Sequence, residues 1–133
     1  MEKIISALQQ RPKTQQARVT RASKLFKTII AAIREKKGEG IVSLDLRKID
    51  EAVADFFILC EAGSHVQIKA IGDAVVDAVQ KATGEKPYHT ESSEHWTLID
   101  YVNVVVHIFS RDQRKFYDLE SLWADAGRME HNE

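Results

Sequence analysis

Apolar side chains recur along this chain with two periods, and the switches between them mark its elements. Ala22, Leu25, Phe26, Ile29 and Ile33 fall at three- and four-residue spacing, which predicts a helix over about 20–37 with one apolar face. Lys36 and Lys37 stand at its C-terminal end, where cations suit the macrodipole, and Gly38 suits the residue that closes it. The period then drops to two: Ile41-Val42-Ser43-Leu44-Asp45-Leu46 alternates as a half-buried strand does. Asp50 to Asp55 reads as a short helical turn. It leads into a second strand at 56–61, whose near-continuous apolarity predicts a central strand covered on both faces.

Ser64-His65-Val66-Gln67 fits a capping box, and Ile68, Ile71, Val75, Ala78, Val79 and Ala82 follow on one helical face before Gly84 and Pro87 close it. Tyr88–Glu91, Trp96–Tyr101 and Val104–Phe109 read as strands, the last two joined by a tight turn near Val102-Asn103. Ser110-Arg111-Asp112-Gln113 is a second capping-box match. It opens a final helix expected to present Phe116, Leu119, Leu122, Trp123 and Ala126 to the core. The order predicts an α/β (α+β) domain: a mixed sheet of about five strands packed by helices. Residues 1–19 have weak periodicity and a polar stretch, Gln9 to Gln16, and form an extension; residues 20–133 form one domain.

At 133 residues, with 44% hydrophobic and 29% charged residues, the chain suits a single globular core. The net charge of −1 conceals an asymmetry. Residues 1–37 carry ten Lys/Arg against two Asp/Glu, and residues 38–133 carry nine against eighteen. An acidic body grips phosphate poorly and suits a basic protein partner better. The basic leader can touch RNA, although a solvated arm is the simpler reading. An acid-poor leader with arginine also resembles an organelle transit peptide, against which Glu2 and the lack of a Ser-rich stretch count. Cys60 stands alone inside Phe56–Cys60, as a small buried hydrophobe rather than a reactive thiol. No apolar run reaches the roughly 20 residues that span a bilayer, and the expectation is a cytoplasmic protein.

The common catalytic constellations are missing from the sequence. There is no phosphate-binding loop, no dinucleotide fingerprint and no Cys/His metal spacing, so no catalytic residue, cofactor or metal site is expected. Gly63-Ser64 resembles the Gly-Ser opening the nucleotidyltransferase signature, which needs two carboxylates one residue apart on a following strand to hold metal ions. The next acids are Asp73 and Asp77, spaced as neighbours on a helix face. His89 and His95 can approach each other if their strands pair, but lack a third ligand. His107 lies between Val106 and Ile108 and reads as a hydrogen-bonded sheet histidine or a dimer contact.

Three ordered blocks carry a family resemblance. Asp55 to Cys60 with Gly63-Ser64, Gln67 and Ala70-Ile71 form the first. Trp96 to Tyr101 with Val104 to Phe109 form the second. Arg114, Tyr117-Asp118-Leu119-Glu120 and Leu122-Trp123 form the third. Their combination resembles the ribosomal silencing factor family, also called Iojap or YbeB proteins. The resemblance implies a nucleotidyltransferase-like fold without the catalytic acids, and a function by binding rather than catalysis. It implies docking on ribosomal protein L-fourteen of the large ribosomal subunit, a block to small-subunit joining and repression of translation. A homodimer is also implied, with rRNA contact open to the basic leader.

The resemblance places the partner contact on Trp96, Leu98, Asp100 and Tyr101. By alternation Trp96, Leu98 and Asp100 share one face, where Trp96 and Leu98 also read as core. Asp100 either meets a basic partner residue or caps the hairpin turn. Trp123 is at helical spacing and reads as core. Two positions depart from the family: Ser92 follows Glu91 where Gly is usual, with a short link to Trp96, and Val102 replaces the turn's usual Gly. A β-branched residue suits positive φ poorly, so a different turn type is expected there.

Overall fold

The computed structural model describes residues 19–50 and 52–131. In chain order the elements are α1 (Lys24–Glu35), β1 (Glu39–Asp45), β2 (Phe56–Ala62), α2 (His65–Thr83), β3 (His89–Ser92), β4 (Trp96–Asp100), β5 (Val104–Ser110), α3 (Arg111–Tyr117), α4 (Leu119–Leu122) and β6 (Gly127–Glu130). The strands form one mixed sheet in the order β3-β4-β5-β2-β1-β6. β2 and β5 pair in parallel, which requires a crossover, and α2 with the β3–β4 hairpin supplies it. The other pairings are antiparallel. The mixed α/β architecture expected from the periodicity is present, with six strands rather than about five.

Two apolar clusters sandwich the sheet. On one face, Leu25, Phe26, Ile29 and Ile33 of α1 and Ile68, Ile71, Val75 and Val79 of α2 pack on Phe56, Ile58, Val106 and Ile108. Each fully buried side chain of this kind contributes roughly 1.5–3 kcal/mol. On the other face Phe57, Leu59, Trp96, Leu98, Val105, Phe109 and Leu119 form the second cluster. β2 contributes to both by alternation and is buried throughout except for Glu61, as its apolarity predicts.

The ends of the helices show where the pattern is refined. α1 begins at Lys24 rather than 20, because Thr20 to Ser23 close a turn, with Ser23 N–H donating to Thr20 O at 3.0 Å. Its closing left-handed residue is Lys37 (φ 64°), not Gly38. Gly38 is needed for another reason: a Cβ there would lie 2.5 Å from Ile33 Cγ2. At α2, Ser64 Oγ accepts from Gln67 N–H at 3.2 Å as the capping box requires. The Gln67 side chain does not return to Ser64; its Nε2 donates to the carbonyls of Lys36 and Lys37, tying the start of α2 to the end of α1.

Three expectations are corrected. The helical turn expected from Asp50 to Asp55 is an irregular loop, whose Asp55 carboxylate instead accepts from Val19 N–H at 3.0 Å. Val19 itself is buried against the first cluster, while residues 1–18 lie outside the described residues. The single final helix is two short ones, broken at Asp118, and Phe116 and Leu122 face solvent rather than core. β6 carries no apolar alternation; it is added by backbone pairing to β1 and by Arg21, which donates to Gly127 O at 3.0 Å.

Candidate partner-binding face

The β4–β5 hairpin and the α3–α4 segment meet on the second face. Trp96 opens β4 opposite Phe109 of β5, and Leu98 stands opposite His107. The Trp96 ring lies 4.8 Å from the Phe109 ring and 5.0 Å from that of Tyr117, which α3 lowers onto it. Trp96 Nε1–H donates to His107 Nδ1 at 3.3 Å. Indole nitrogen can only donate, so Nδ1 carries no proton and the neutral ring holds its proton on Nε2. Burial drives the His107 pKa down to about 3, which keeps the ring neutral. It is thus a hydrogen-bonded sheet histidine, packed edge-on against Phe57 at 4.7 Å.

The four residues singled out on this strand divide between the two faces. Trp96, Leu98 and Asp100 point to the second face, whereas Tyr101 packs with the first cluster. All four are buried in the isolated chain, at 8%, 2%, 2% and 4% exposure respectively. Asp100 serves the hairpin turn: its Oδ1 accepts from Val102 N–H at 2.7 Å. Val102 adopts a positive φ of 71°, which Gly would favour, within a three-residue turn closed by Asn103 N–H donating to Tyr101 O. Burial pushes the Tyr101 hydroxyl up to about 12.

An ionic network that the sequence pattern did not announce fixes the cover in place. Arg114, largely buried, donates to Glu61 Oε1 at 3.1 Å, Glu120 Oε1 at 3.1 Å and Gly40 O at 2.7 Å. Gly40 (φ 57°) lies in the β1 irregularity, and a Cβ there would meet Arg114 Nη1 at 2.5 Å. Arg128 pairs with the other oxygen of Glu120 at 3.1 Å, linking α4 to β6. The spacing of Arg114 and Glu120 alone gives no sign of this, because Glu61 and Gly40 join from other strands.

The remaining sequence candidates lie apart from this face. A groove of about 730 Å³ runs between α2 and the β3–β4 hairpin, with Asp73 and Asp77 on its rim. Both carboxylates are solvated and paired along the helix, with Lys69 at 3.3 Å and Lys81 at 2.9 Å. Pairing does join β3 to β4, but in a register that sets His89 opposite Asp100 while His95 lies in the turn, so the two histidines stay apart. Among the described residues no group of three or more His, Cys, Asp or Glu is placed to hold a metal ion. Cys60 is fully buried, and desolvation raises its thiol to about 12, far from a reactive thiolate. No helix among the described residues is long and apolar enough to cross a membrane.

Comparison with known proteins matches the chain to a family. The family model described as "Ribosomal silencing factor during starvation" matches residues 19–133. The ribosomal silencing factor RsfS of Halalkalibacterium halodurans is 36% identical over 107 residues, covering 80% of this chain and 91% of that protein. The Bacillus subtilis protein of the same name is 37% identical over 103 residues, covering 77% and 86%. Among solved structures, a Chromobacterium violaceum protein superposes with a TM-score of 0.70 at 30% identity, covering 76% of this chain and 84% of that one. A Bacillus halodurans protein gives 0.66 at 35%, covering 75% and 93%. The chain therefore belongs to the ribosomal silencing factor family.

Proposed function

We propose that this protein binds ribosomal protein L-fourteen on the large ribosomal subunit, and that its bulk there prevents the small subunit from joining and so represses translation. The observation that carries the reading is the family match across residues 19–133. The charge distribution supports it: residues 38–133 hold eighteen acids against nine Lys/Arg, and a basic ribosomal protein is a suitable partner for such a body. The protein works as a ligand of the ribosome, not as an enzyme, in the cytoplasm and without a cofactor. Free of the ribosome it is a homodimer.

The Trp96–Tyr101 strand contributes to the contact face. Trp96, Leu98 and Asp100 build the second face from beneath, Trp96 by supporting Tyr117. Purified subunits mixed with increasing amounts of the protein test the reading by sucrose-gradient sedimentation. The expected result is co-sedimentation with the large subunit, a fall in joined ribosomes, and a cross-link to L-fourteen. Sedimentation with neither subunit, or unimpaired joining at saturation, counts against it. Light scattering of the free protein tests the dimer, which a monomeric mass at micromolar concentration would exclude.

A further inference from the structure

Phe116 is 78% exposed, the highest of the large apolar side chains among the described residues, and Leu122 is 55% exposed. Both belong to the α3–α4 segment, and their exposure has a local cause. An unbroken helix would carry Phe116, Leu119, Leu122 and Trp123 on one inward stripe. Asp118 instead takes a left-handed conformation, φ 43° and ψ 59°, between the two helices. The phase is reset there, so Tyr117, Leu119 and Trp123 pack on the sheet while Phe116 and Leu122 turn to water. A non-glycine residue held in that region costs of order 1–3 kcal/mol and is kept where the surroundings demand it.

The segment that carries these side chains is anchored. Arg114 fastens it to β2 and to the β1 irregularity, Arg111 adds pairs to Glu39 and Glu61, and Tyr117 rests on Trp96. Phe116 also packs edge-on against Tyr117, with ring centroids 4.9 Å apart. An apolar side chain displayed from a fixed platform loses little freedom on binding, which is what an interface anchor requires.

Charge around the segment selects the kind of partner. Arg111 and Arg114 of α3 and Arg128 of the neighbouring β6 are each taken up by glutamates. This leaves one cation, exposed Lys115 beside Phe116, against the exposed carboxylates of Asp112, Asp118 and Asp125. Asp112, one turn before Phe116, and Asp125, three residues beyond Leu122, are exposed and join no ion pair among the described residues. Free carboxylates beside an apolar anchor repel a phosphate backbone and attract lysine and arginine.

We infer that Phe116 and Leu122 seat in an apolar recess of a basic protein surface on the large ribosomal subunit, with Asp112 and Asp125 facing its cations. The inference deepens the large-subunit binding proposed above and rests on it. It assigns direct contact to the α3–α4 segment and a positioning role to buried Trp96 beneath it.

The full chain and purified large subunits provide the test, by co-sedimentation at low and physiological salt. Phe116→Gln combined with Leu122→Gln is expected to weaken binding about thirtyfold, with an unchanged circular dichroism spectrum and urea midpoint. Asp112→Lys with Asp125→Lys is expected to weaken binding most at low salt, where attraction is least screened. A photoreactive phenylalanine analogue at position 116 is expected to cross-link a large-subunit protein. Wild-type affinity of the folded Gln double variant, or a cross-link to rRNA or to a second copy of the chain, overturns this assignment while leaving large-subunit binding intact. Failure of the wild-type protein itself to sediment with large subunits overturns the proposed function, and this contact with it.

Discussion

The sheet face beneath α1 and α2 is closed by helices of 12 and 19 residues, while the opposite face is closed by helices of seven and four residues and the loop before β2. The first cover is continuous and its stripes are apolar: Ile29, Ile33, Ile71, Val75 and Val79 are fully buried. Both faces enclose polar atoms. The Tyr101 hydroxyl, packed with the first cluster, finds no hydrogen-bond partner among the described residues. On the second face Asp100 and His107 are buried, and two ring nitrogens, His107 Nε2 and Trp123 Nε1, find none among those residues. Unpartnered buried donors cost free energy that an apolar core avoids. The second face thus gives up more than the first, and it is beside the second that Phe116 and Leu122 stand exposed.

The sharpest way to break that contrast is to empty a site on the first face. Ile71 is fully buried between α2 and the sheet, so Ile71→Ala should cost about 3 kcal/mol through lost transfer energy and the cavity left behind. Urea unfolding would show a lower midpoint with the slope preserved. The fraction that remains folded should bind large subunits as the wild type does. A loss below 1 kcal/mol would mean that the helix-covered face is not the stability core. A binding defect in the folded fraction would mean that the two faces are not separable.

Acid should act on the second face through His107. Burial holds its folded pKa near 3, whereas the unfolded chain titrates near 6.5. Between those values the unfolded state binds a proton that the folded state refuses. The stability contribution is therefore complete above pH 6.5 and declines as pH falls through the window, by roughly 1.4 kcal/mol per pH unit. By pH 5 the wild type should have lost about 2 kcal/mol relative to a His107→Gln variant, in which the amide oxygen can still accept from Trp96 Nε1. His131 is also shifted down, chiefly by burial, but it is common to both proteins and cancels in the difference. Parallel stability curves from pH 7 to 5 would show that His107 is not the titrating group.

What could be read from the sequence follows the same division. The helical stripes of α1 and α2 and the apolar run of β2 were legible because burial on one or two faces writes directly into period. Membership of Trp96 and Leu98 in a buried face was legible by alternation, as was the capping of α2 by Ser64. The second face resisted for physical reasons. The break at Asp118 overrides the helical period, and Asp is among the residues that tolerate left-handed φ, so Phe116 and Leu122 looked like core. β6 is held by backbone pairing, which leaves no apolar signature. The Arg114 network joins residues 53 and 74 positions apart, a separation that no local pattern reports. Whether a partner meets Trp96, Leu98, Asp100 or Tyr101 directly is a question about a surface, and period tells only which face a side chain occupies.

The smallest expected effect sits at the turn between β4 and β5, where the two faces share one strained residue. Asn103 N–H donates to Tyr101 O at 2.9 Å, closing a three-residue turn around Val102 at φ 71°. A β-branched side chain is unfavourable there, yet the turn is fixed from several directions. Asp100 Oδ1 accepts from Val102 N–H, Tyr101 N–H donates to Val104 O at 2.9 Å, and Asn103 O accepts from Asp55 and Phe56 N–H at 2.8 and 3.1 Å. Val102→Gly should relieve the strain but give the unfolded chain more freedom, for a net gain of about 0.5–1 kcal/mol. Val102→Asn removes the β-branch without all of that entropy cost and should gain less than glycine, up to about 0.5 kcal/mol. Urea midpoints measure both, and destabilisation by both would show that the half-buried valine side chain contributes more by packing than its backbone loses. Large-subunit binding sharpens the result. Unchanged affinity assigns the strain to this sequence's choice of residue, whereas a loss of affinity in the more stable variants makes the strained turn part of the partner-binding face.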